Sequence, residues 1–402
     1  MSRQLAPVPP LLTRRFLVVW ASSLAYFMAI GTTWPVIPVF VEEELAGGPV
    51  AVGVSIGAAG LAATFFRPLI GPVGDRRGRR IILGWGAVAA AVSTLLLIPA
   101  GTVAAVVVAR VLFGAGEAGA FIGIAAALQD LAPPTRRGEA ASYFGVTVYM
   151  GLAIGPAIGE ALAEAGGAGQ AFVFGSVMYL VAGVLGMAAP GAPDPMPPPH
   201  AVQWAIHPAA RRPGLILFIG LIGYAGFLAF IALHASDVGI EVTGSVFALF
   251  AVVVLTVRLV GARIPDRLGA LTTTRLALAF SAVGLLILGG WREAVGVYIG
   301  TFVMALGQSF LVPALLVLAV DRAPDTERSH AIASVSVGFD LAVGLGGFLV
   351  GGVVAATDRG GGFIFCALIA AVALIGSGPL FGAMGAQARE SIPPDSTSGL
   401  SR

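Results

Sequence analysis

The chain alternates between long apolar segments and short polar connections. Twelve apolar segments have about 20 residues each, the length that an α-helix needs to cross the hydrocarbon core of a bilayer. They cover residues 16–41, 50–70, 81–99, 102–129, 139–163, 171–189, 213–235, 244–264, 273–290, 294–319, 329–356 and 361–383. The pattern therefore predicts an all-α membrane protein with twelve transmembrane helices.

Composition favours the same class of protein. Hydrophobic residues make up 57% of the 402 residues and charged residues only 11%, which is too little charge for a water-soluble domain of this size. The 56 glycines would let neighbouring membrane helices approach closely. The first apolar segment is followed by Glu42, Glu43 and Glu44 instead of a small-residue cleavage site, so we expect it to be retained as a helix.

The arginines indicate the orientation. All 23 basic residues are Arg, and the absence of Lys and Asn is typical of a GC-rich bacterial genome. If both termini are cytoplasmic, 18 Arg fall in cytoplasmic segments, Arg292 and Arg359 fall outside, and Arg67, Arg110 and Arg258 fall in apolar segments. This bias follows the positive-inside rule. We therefore expect a multi-pass protein of a bacterial inner membrane with both termini in the cytoplasm.

An internal repeat divides the chain. Four residues recur at a spacing of 191, with Arg67, Asp75, Arg76 and Gly78 matching Arg258, Asp266, Arg267 and Gly269. Residues 130–137 and 321–328 share five of eight positions at the same spacing. The repeat predicts two six-helix halves built on one plan, covering residues 1–189 and 213–386.

The remaining segments are polar or rich in proline. Residues 190–212 contain Pro197, Pro198 and Pro199 and the basic pair Arg211 and Arg212, so we interpret them as a cytoplasmic linker between the halves. Residues 387–402 are predicted to form a disordered cytoplasmic tail.

Three glycine-containing motifs carry a family resemblance. The connection after the second segment reads Gly71-Pro-Val-Gly-Asp75-Arg76-Arg77-Gly78-Arg79-Arg80. The fourth segment contains Arg110, Gly114 and Gly116, and the fifth contains Gly151, Gly155, Pro156 and Gly159. The first resembles the signature loop of the major facilitator superfamily. The other two resemble the second motif of that superfamily and the motif associated with its proton-driven exporters.

The resemblance implies the major facilitator fold, with two pseudo-symmetric six-helix bundles, and export of a drug or metabolite in exchange for protons. Two residues depart from the family pattern. Glu160 stands where the exporter motif usually ends in paired glycines, and Glu117 occupies a position that is commonly small. The glycines and Pro156 of the fifth segment also fit generic helix packing and a helix kink, so the resemblance alone points to export.

The signature loop is a candidate conformational latch. Asp75 can cap the third helix, and Gly78 can adopt a backbone angle that other residues avoid. The resemblance implies that Asp75 and Arg79 contact the fourth helix near Asp130 and that the loop closes against the opposite half. The alternative is a loop that only fixes orientation. The predicted latch residues are Gly71, Asp75, Arg76, Gly78, Arg79, Asp130, Asp266 and Arg267.

Arg110 and Glu117 are the first candidates for proton coupling. Seven residues apart on one helix, they share nearly the same face. A charge in the bilayer costs at least about 2.5 kcal/mol, so both should face the interior and seek partners. We expect them to interact with each other, either as a proton-responsive pair or as a static ion pair. The repeat places Gln308 opposite Glu117, and both are expected at a central cavity.

Asp340 is the second intramembrane acid, and Tyr149 matches it in the repeat. We interpret Asp340 as a contact for a proton or a cationic substrate, or alternatively as a local hydrogen-bond partner of Ser334 or Ser336. Tyr149 and Trp34 are candidates for an aromatic cavity wall, although such residues are also common at the membrane surface.

Other function classes are excluded or disfavoured. Without Lys the chain cannot form a nucleotide-binding loop of the Gly-x-x-x-x-Gly-Lys type, so this polypeptide alone cannot drive transport with ATP. A single Cys366 and the isolated His234 make a metal site improbable, and no catalytic constellation is visible. We therefore expect no cofactor, no enzyme activity and no nucleic-acid partner, but a monomer in the bilayer that binds a small molecule.

The predicted function is proton-coupled export, by antiport, of a small, partly apolar organic compound, with the proton gradient as the energy source. Uptake or facilitated diffusion of a small polar solute is the alternative among carriers. A non-transporting membrane sensor on the same fold is the alternative from another class.

Overall fold

The computed structural model describes residues 10–188, 206–261, 264–324 and 327–390, and this part of the chain is helical without a β-strand. Its α-helices are α1 Arg14–Val39, α2 Pro49–Arg77, α3 Arg79–Leu95, α4 Val103–Asp130, α5 Arg137–Gly166, α6 Ala168–Ala188, α7 Pro208–Asp237, α8 Gly244–Val260, α9 Ile264–Leu268, α10 Ala270–Gly290, α11 Ala294–Val320, α12 Arg328–Ala356 and α13 Arg359–Glu390. A π-helical segment, Phe40–Glu44, extends α1, and a 3₁₀ turn, Pro134–Arg136, precedes α5.

The prediction of an all-α membrane chain is confirmed. In the described ranges, ten helical segments are long and apolar enough to cross a membrane, and Gly244–Val260 is a shorter apolar helix. Twelve of the helices correspond in order to the twelve predicted segments, and the short α9 lies between the eighth and ninth.

Several boundaries differ from the prediction. Helix α2 continues through most of the predicted signature loop to Arg77, so Asp75 lies inside α2, and Gly78 is the residue at the start of α3. Helix α7 begins at Pro208 and includes Arg211 and Arg212, which shortens the predicted linker. Residues 387–390 belong to α13. The rest of the linker, residues 189–205, and the tail from residue 391 lie outside the described residues.

The turn between α2 and α3 requires glycine. Gly78 has φ of +98°, and its repeat partner Gly269, between α9 and α10, has φ of +78°. L-residues with a side chain rarely adopt such angles, whereas glycine does so without steric cost. The backbone role predicted for Gly78 is therefore present in both halves.

The helices pack as two groups that match the repeat. In the first, α1 packs against α5 and α6, and α4 against α2 and α3; in the second, α10 packs against α11 and α13, and α7 against α12 and α13. The glycine face of α5 lies on α1: a Cβ on Gly159 would be 2.0 Å from the carbonyl oxygen of Thr32. The fifth-segment motif therefore packs helices within one group.

Two main interfaces join the groups, and α7 also contacts α1 and α2. The first interface is α2 against α12, and the second is α5 against α8. The first is closely packed, since a Cβ on Gly53 would lie 2.1 Å from the carbonyl oxygen of Gly347 and one on Gly57 would lie 2.2 Å from that of Gly344. We call the end of the molecule where α1 ends and α2 begins, at residues 40–49, the distal end.

Candidate substrate and proton site

A cavity of about 230 Å³ lies between the two groups. Its walls come from α1, α2, α4 and α5 on one side and from α7, α8, α11 and α12 on the other. The six residues predicted for a central cavity all line it, namely Trp34, Arg110, Glu117, Tyr149, Gln308 and Asp340.

Arg67 is the centre of the charged site. Its Nη2 lies 3.1 Å and 3.2 Å from the two carboxylate oxygens of Glu117 on α4. Its Nε lies 3.0 Å from Oδ2 of Asp340 on α12, an ion pair without hydrogen-bond alignment. The side chains of Arg67 and Glu117 are only 19% and 17% exposed, and that of Asp340 only 5%. One guanidinium thus binds an acid of its own half and an acid of the opposite half.

The expected pairing of Arg110 with Glu117 is wrong. Arg110 instead donates from Nε to the carbonyl oxygen of Ser55 at 3.1 Å, and its Cζ lies 4.6 Å from the ring centroid of Phe113. Seven helical residues span about 10 Å of axis, which separates the two charged heads. Arg67, on a neighbouring helix, reaches Glu117 at its own level.

The alternative role for Asp340 as a local hydrogen-bond partner is also wrong. Ser336 donates to the carbonyl oxygen of Ile332 at 3.1 Å, and Ser334 accepts from the backbone of His207 at 3.0 Å. Arg67 is not among the site residues predicted from the sequence. Its position inside an apolar segment was the available signal, because a charge there needs a carboxylate nearby.

The repeat places a counterpart of this site, with an arginine but without acids, at the second interface. Arg258, Gln308 and Tyr149 correspond to Arg67, Glu117 and Asp340 at the 191-residue spacing. The Cζ of Arg258 lies 4.9 Å from the ring centroid of Tyr149 in a cation–π contact, and its Nε donates to the carbonyl oxygen of Ser309 at 3.2 Å. Gln308 donates to Ser281 at 3.2 Å. An arginine therefore bridges the halves at both interfaces, but within the described ranges Arg67 pairs with acids and Arg258 does not.

Aromatic rings form much of the remaining wall. Phe27, Phe113 and Phe121 come from the first group, and Tyr224 and Phe250 from the second. The rings of Tyr224 and Phe250 are stacked with centroids 5.6 Å apart. The cavity is therefore apolar apart from a few charged and amide groups.

The predicted latch is described only in part. Arg79 lies 3.8 Å from Asp130, but both residues belong to the first group. Gly71 lies near the end of α2, and Arg76 and Arg267 are exposed, while the side chains of Asp75 and Asp266 lie outside the described residues. Closure of this loop against the opposite half stays a prediction.

At the distal end, acidic side chains form contacts between the two halves. Glu160 accepts hydrogen bonds from the backbone amides of Thr243 at 2.7 Å and Gly244 at 2.8 Å. These amides begin α8, where a carboxylate is stabilised by the helix dipole. Arg359 of the second half pairs with Glu42 of the first half and with Asp237. Glu160, which departs from the exporter motif, thus forms a contact between the two halves.

The buried His234 donates from Nε2 to the carbonyl oxygen of Leu288 at 2.9 Å and lies apart from the cavity. Across the described part of the chain, no group of three His, Cys, Asp or Glu residues is placed to hold a metal ion.

The sequence model of the Major Facilitator Superfamily matches residues 19–299 and 214–396 of the chain. The chain belongs to the major facilitator superfamily. A Salmonella typhimurium protein named as an uncharacterized MFS-type transporter is 29% identical over 340 residues, covering 82% of this chain and 87% of that protein. One from Burkholderia mallei is 27% identical over 376 residues, covering 90% of each. The chain is therefore a transporter of this superfamily and not an enzyme.

Solved structures show the same fold. A mutant of the nucleoside transporter NupG superposes with a TM-score of 0.77 at 12% identity, covering 92% of this chain and all of that one. An auto-inhibited POT family peptide transporter superposes with a TM-score of 0.74 at 15% identity, covering 92% and 97%. At such identities the likeness concerns the superfamily fold alone.

Proposed function

We propose that this transporter exports a small, partly apolar organic compound in exchange for protons, by alternating access between two six-helix bundles. In this proposal, twelve helices cross a bacterial inner membrane with both termini in the cytoplasm. The observation that carries proton coupling is Arg67, whose guanidinium binds Glu117 in its own half and Asp340 in the opposite half.

Protonation of Asp340 would change the contact between the halves. A carboxylate attracts the guanidinium of Arg67 strongly in a low-dielectric environment, whereas a neutral carboxyl does not. Arg67 would keep Glu117 as its partner, so a proton on Asp340 releases the opposite half without leaving the arginine unpaired. The bundles can then rock about the cavity, as alternating access requires.

Two further features support the kind of substrate and the direction. The cavity, at about 230 Å³, is smaller than the roughly 300–1,000 Å³ of pockets for drug-sized ligands, so we expect a compound of metabolite size. Its aromatic walls suit a partly apolar body. Export is supported by the likeness of the α5 glycines and Pro156 to the motif of proton-driven exporters.

Proton-coupled uptake of a small polar solute is the second candidate. It is favoured by Arg110, a cavity cation without a carboxylate among the described residues. A negatively charged solute there would repel the ionised forms of Glu117 and Asp340. Binding of the solute would therefore favour the protonated form of these acids. This is the linkage between solute and proton that is expected of co-transport.

The decisive experiment measures proton movement across inverted vesicles with a pH-quenched fluorophore under an imposed proton gradient. A panel of lipophilic cations, antibiotics, and small organic acids is added to vesicles holding wild type, Glu117→Gln, Asp340→Asn or Glu164→Gln. Glu164 is an exposed acid of α5 outside the cavity and serves as the matched control.

We expect substrate-evoked proton release in wild type and Glu164→Gln and its loss in Glu117→Gln and Asp340→Asn. Proton movement in the opposite sense would replace export with co-transport. Movement that survives both cavity substitutions, or none with any compound, would contradict proton coupling at this site.

A further inference from the structure

Arg110 carries a charge that the cavity leaves without an acidic partner. Its side chain is buried, with 6% exposure, and lines the cavity. The described residues give it one hydrogen bond, from Nε to the carbonyl oxygen of Ser55, and the ring of Phe113. A guanidinium stays protonated in proteins and has five N–H donors, so most of its donors remain available.

The two acids of the cavity already pair with Arg67. Glu117 and Asp340 lie 3.1 Å and 3.0 Å from the guanidinium of Arg67. A cationic ligand would have to displace Arg67 from one of them while sitting in the same cavity as Arg110. An anionic ligand would meet an available cation and need displace nothing, which makes it the better match in charge.

The surroundings of Arg110 also indicate what the rest of the ligand should be. Phe113 lies against the guanidinium, and Phe27 and Phe121 line other parts of the same cavity, with Phe121 against Arg67. Tyr224 and Phe250 close the opposite wall. A ligand that places its charged group at Arg110 would extend its other end among these rings.

From these observations we infer that the cavity binds small organic anions, carboxylates in the first instance, with the anionic group on Arg110 and an apolar body against the aromatic wall. The inference rests on the proposed transport function, whose substrate class it names, and it holds for either direction of transport.

The test is ligand-dependent thermal stability of the purified full-length chain in detergent at pH 7. The probes are two series that differ only in charge: benzoate, benzamide and benzylamine, and hexanoate, hexanamide and hexylamine. We expect both carboxylates to raise the unfolding temperature with a saturable dose response, and the amides and amines to give no saturable rise. Ligands that bind only the folded state stabilise it in this way.

Variants then locate the anion. Arg110→Gln should weaken carboxylate binding roughly 10- to 100-fold, the range for losing one charge-assisted hydrogen-bond partner. Arg110→Lys should retain part of the affinity because it keeps the positive charge. Arg275→Gln is the matched control, since Arg275 is exposed, donates to Ser377 and lies outside the cavity.

Three outcomes would overturn the inference: amines or amides that stabilise as well as carboxylates, carboxylate binding that is unchanged in Arg110→Gln, or no saturable stabilisation by either carboxylate. Selectivity among the probes is measured on wild type, so a poorly folded Arg110→Gln cannot hide the result. Binding in detergent requires no proton gradient. Carboxylate binding without proton movement in vesicles would therefore count against proton coupling and not against the anion site.

Discussion

The two interfaces between the halves are related by the internal repeat, but their charged residues are placed differently. The repeat relates α2 to α8 and α12 to α5, and it matches Gly53 with Gly244. At the first interface, glycine backbones meet near the distal end, and the ion pair of Arg67 with Asp340 lies deeper. At the second, a carboxylate caps α8 at the distal end, and Arg258 stacks on Tyr149 deeper in the molecule.

This difference indicates which interface can respond to protons. Both interfaces keep the arginine, so the residue opposite it decides the response. A carboxylate loses its attraction for a guanidinium when it is protonated, whereas stacking on a neutral phenol ring does not depend on a proton. The first interface is therefore the one suited to coupling, and the second suits a constant contact.

The largest expected effect comes from removing each arginine in turn. Arg67→Gln leaves Glu117 and Asp340 without their cation, and losing one partner of a buried ion pair typically costs about 3–5 kcal/mol, so we expect transport to fall at least roughly 100-fold. Arg258→Gln removes a cation–π contact of about 0.5–2 kcal/mol, so we expect a loss of no more than roughly 30-fold. Initial rates in vesicles at equal protein content make the comparison. Equal losses would mean that both interfaces have the same role.

A second change converts the first interface to the chemistry of the second. The double variant Glu117→Gln and Asp340→Tyr gives Arg67 the residue types that the repeat places at Gln308 and Tyr149 for Arg258. We expect gradient-driven accumulation to disappear while exchange of labelled substrate across the membrane without a gradient continues. The two assays are run on the same vesicles. Accumulation that survives would show that the acids opposite Arg67 are not the coupling groups.

The sequence was sufficient for the helices but not for the partners of the charges. Runs of about 20 apolar residues predict a membrane helix from length alone, and the repeat predicts two related groups. The partner of Glu117 depends on how α2 crosses α4 and on the rotation of each helix. Neither quantity can be read from spacing along one chain, so spacing alone points to Arg110, the nearest charge on the same helix, and not to Arg67.

The contact of Glu160 with α8 could not be predicted from the sequence for a similar reason. A carboxylate near a helix end is usually in contact with water, and the approach of the first turn of α8 comes from packing between halves. The predicted end of the second helix, before the signature loop, was wrong for a local reason. Nothing between Gly71 and Arg77 stops α2, and the helix ends only where Gly78 turns the chain with a positive φ.

An intermediate effect is expected from tightening the first interface. A Cβ on Gly57 would lie 2.2 Å from the carbonyl oxygen of Gly344, whereas the equivalent position of the second interface is already Ala248. We expect Gly57→Ala to destabilise the protein by about 1–3 kcal/mol, the usual cost of overpacking. Thermal unfolding in detergent measures it. Gly145→Ala is the control, since open space surrounds that position on α5; equal unfolding temperatures for the two variants would contradict close packing of α2 on α12.

The smallest effect should come from the distal end of the second interface, where the acid caps a helix instead of pairing with an arginine. Glu160→Gln keeps an oxygen near the amides of Thr243 and Gly244 but removes the charge that the start of α8 stabilises, so we expect a loss of about 0.5–2 kcal/mol. Hydrogen exchange at the first turn of α8 reports this loss directly, because those amides are protected only while Glu160 holds them. Exchange there should speed up in Glu160→Gln and stay at the wild-type rate in Glu164→Gln, whose side chain is exposed on the same helix. Unchanged exchange in Glu160→Gln would mean that α8 is held by packing alone, and the contrast between a proton-responsive interface and a constant one would then rest on the arginines.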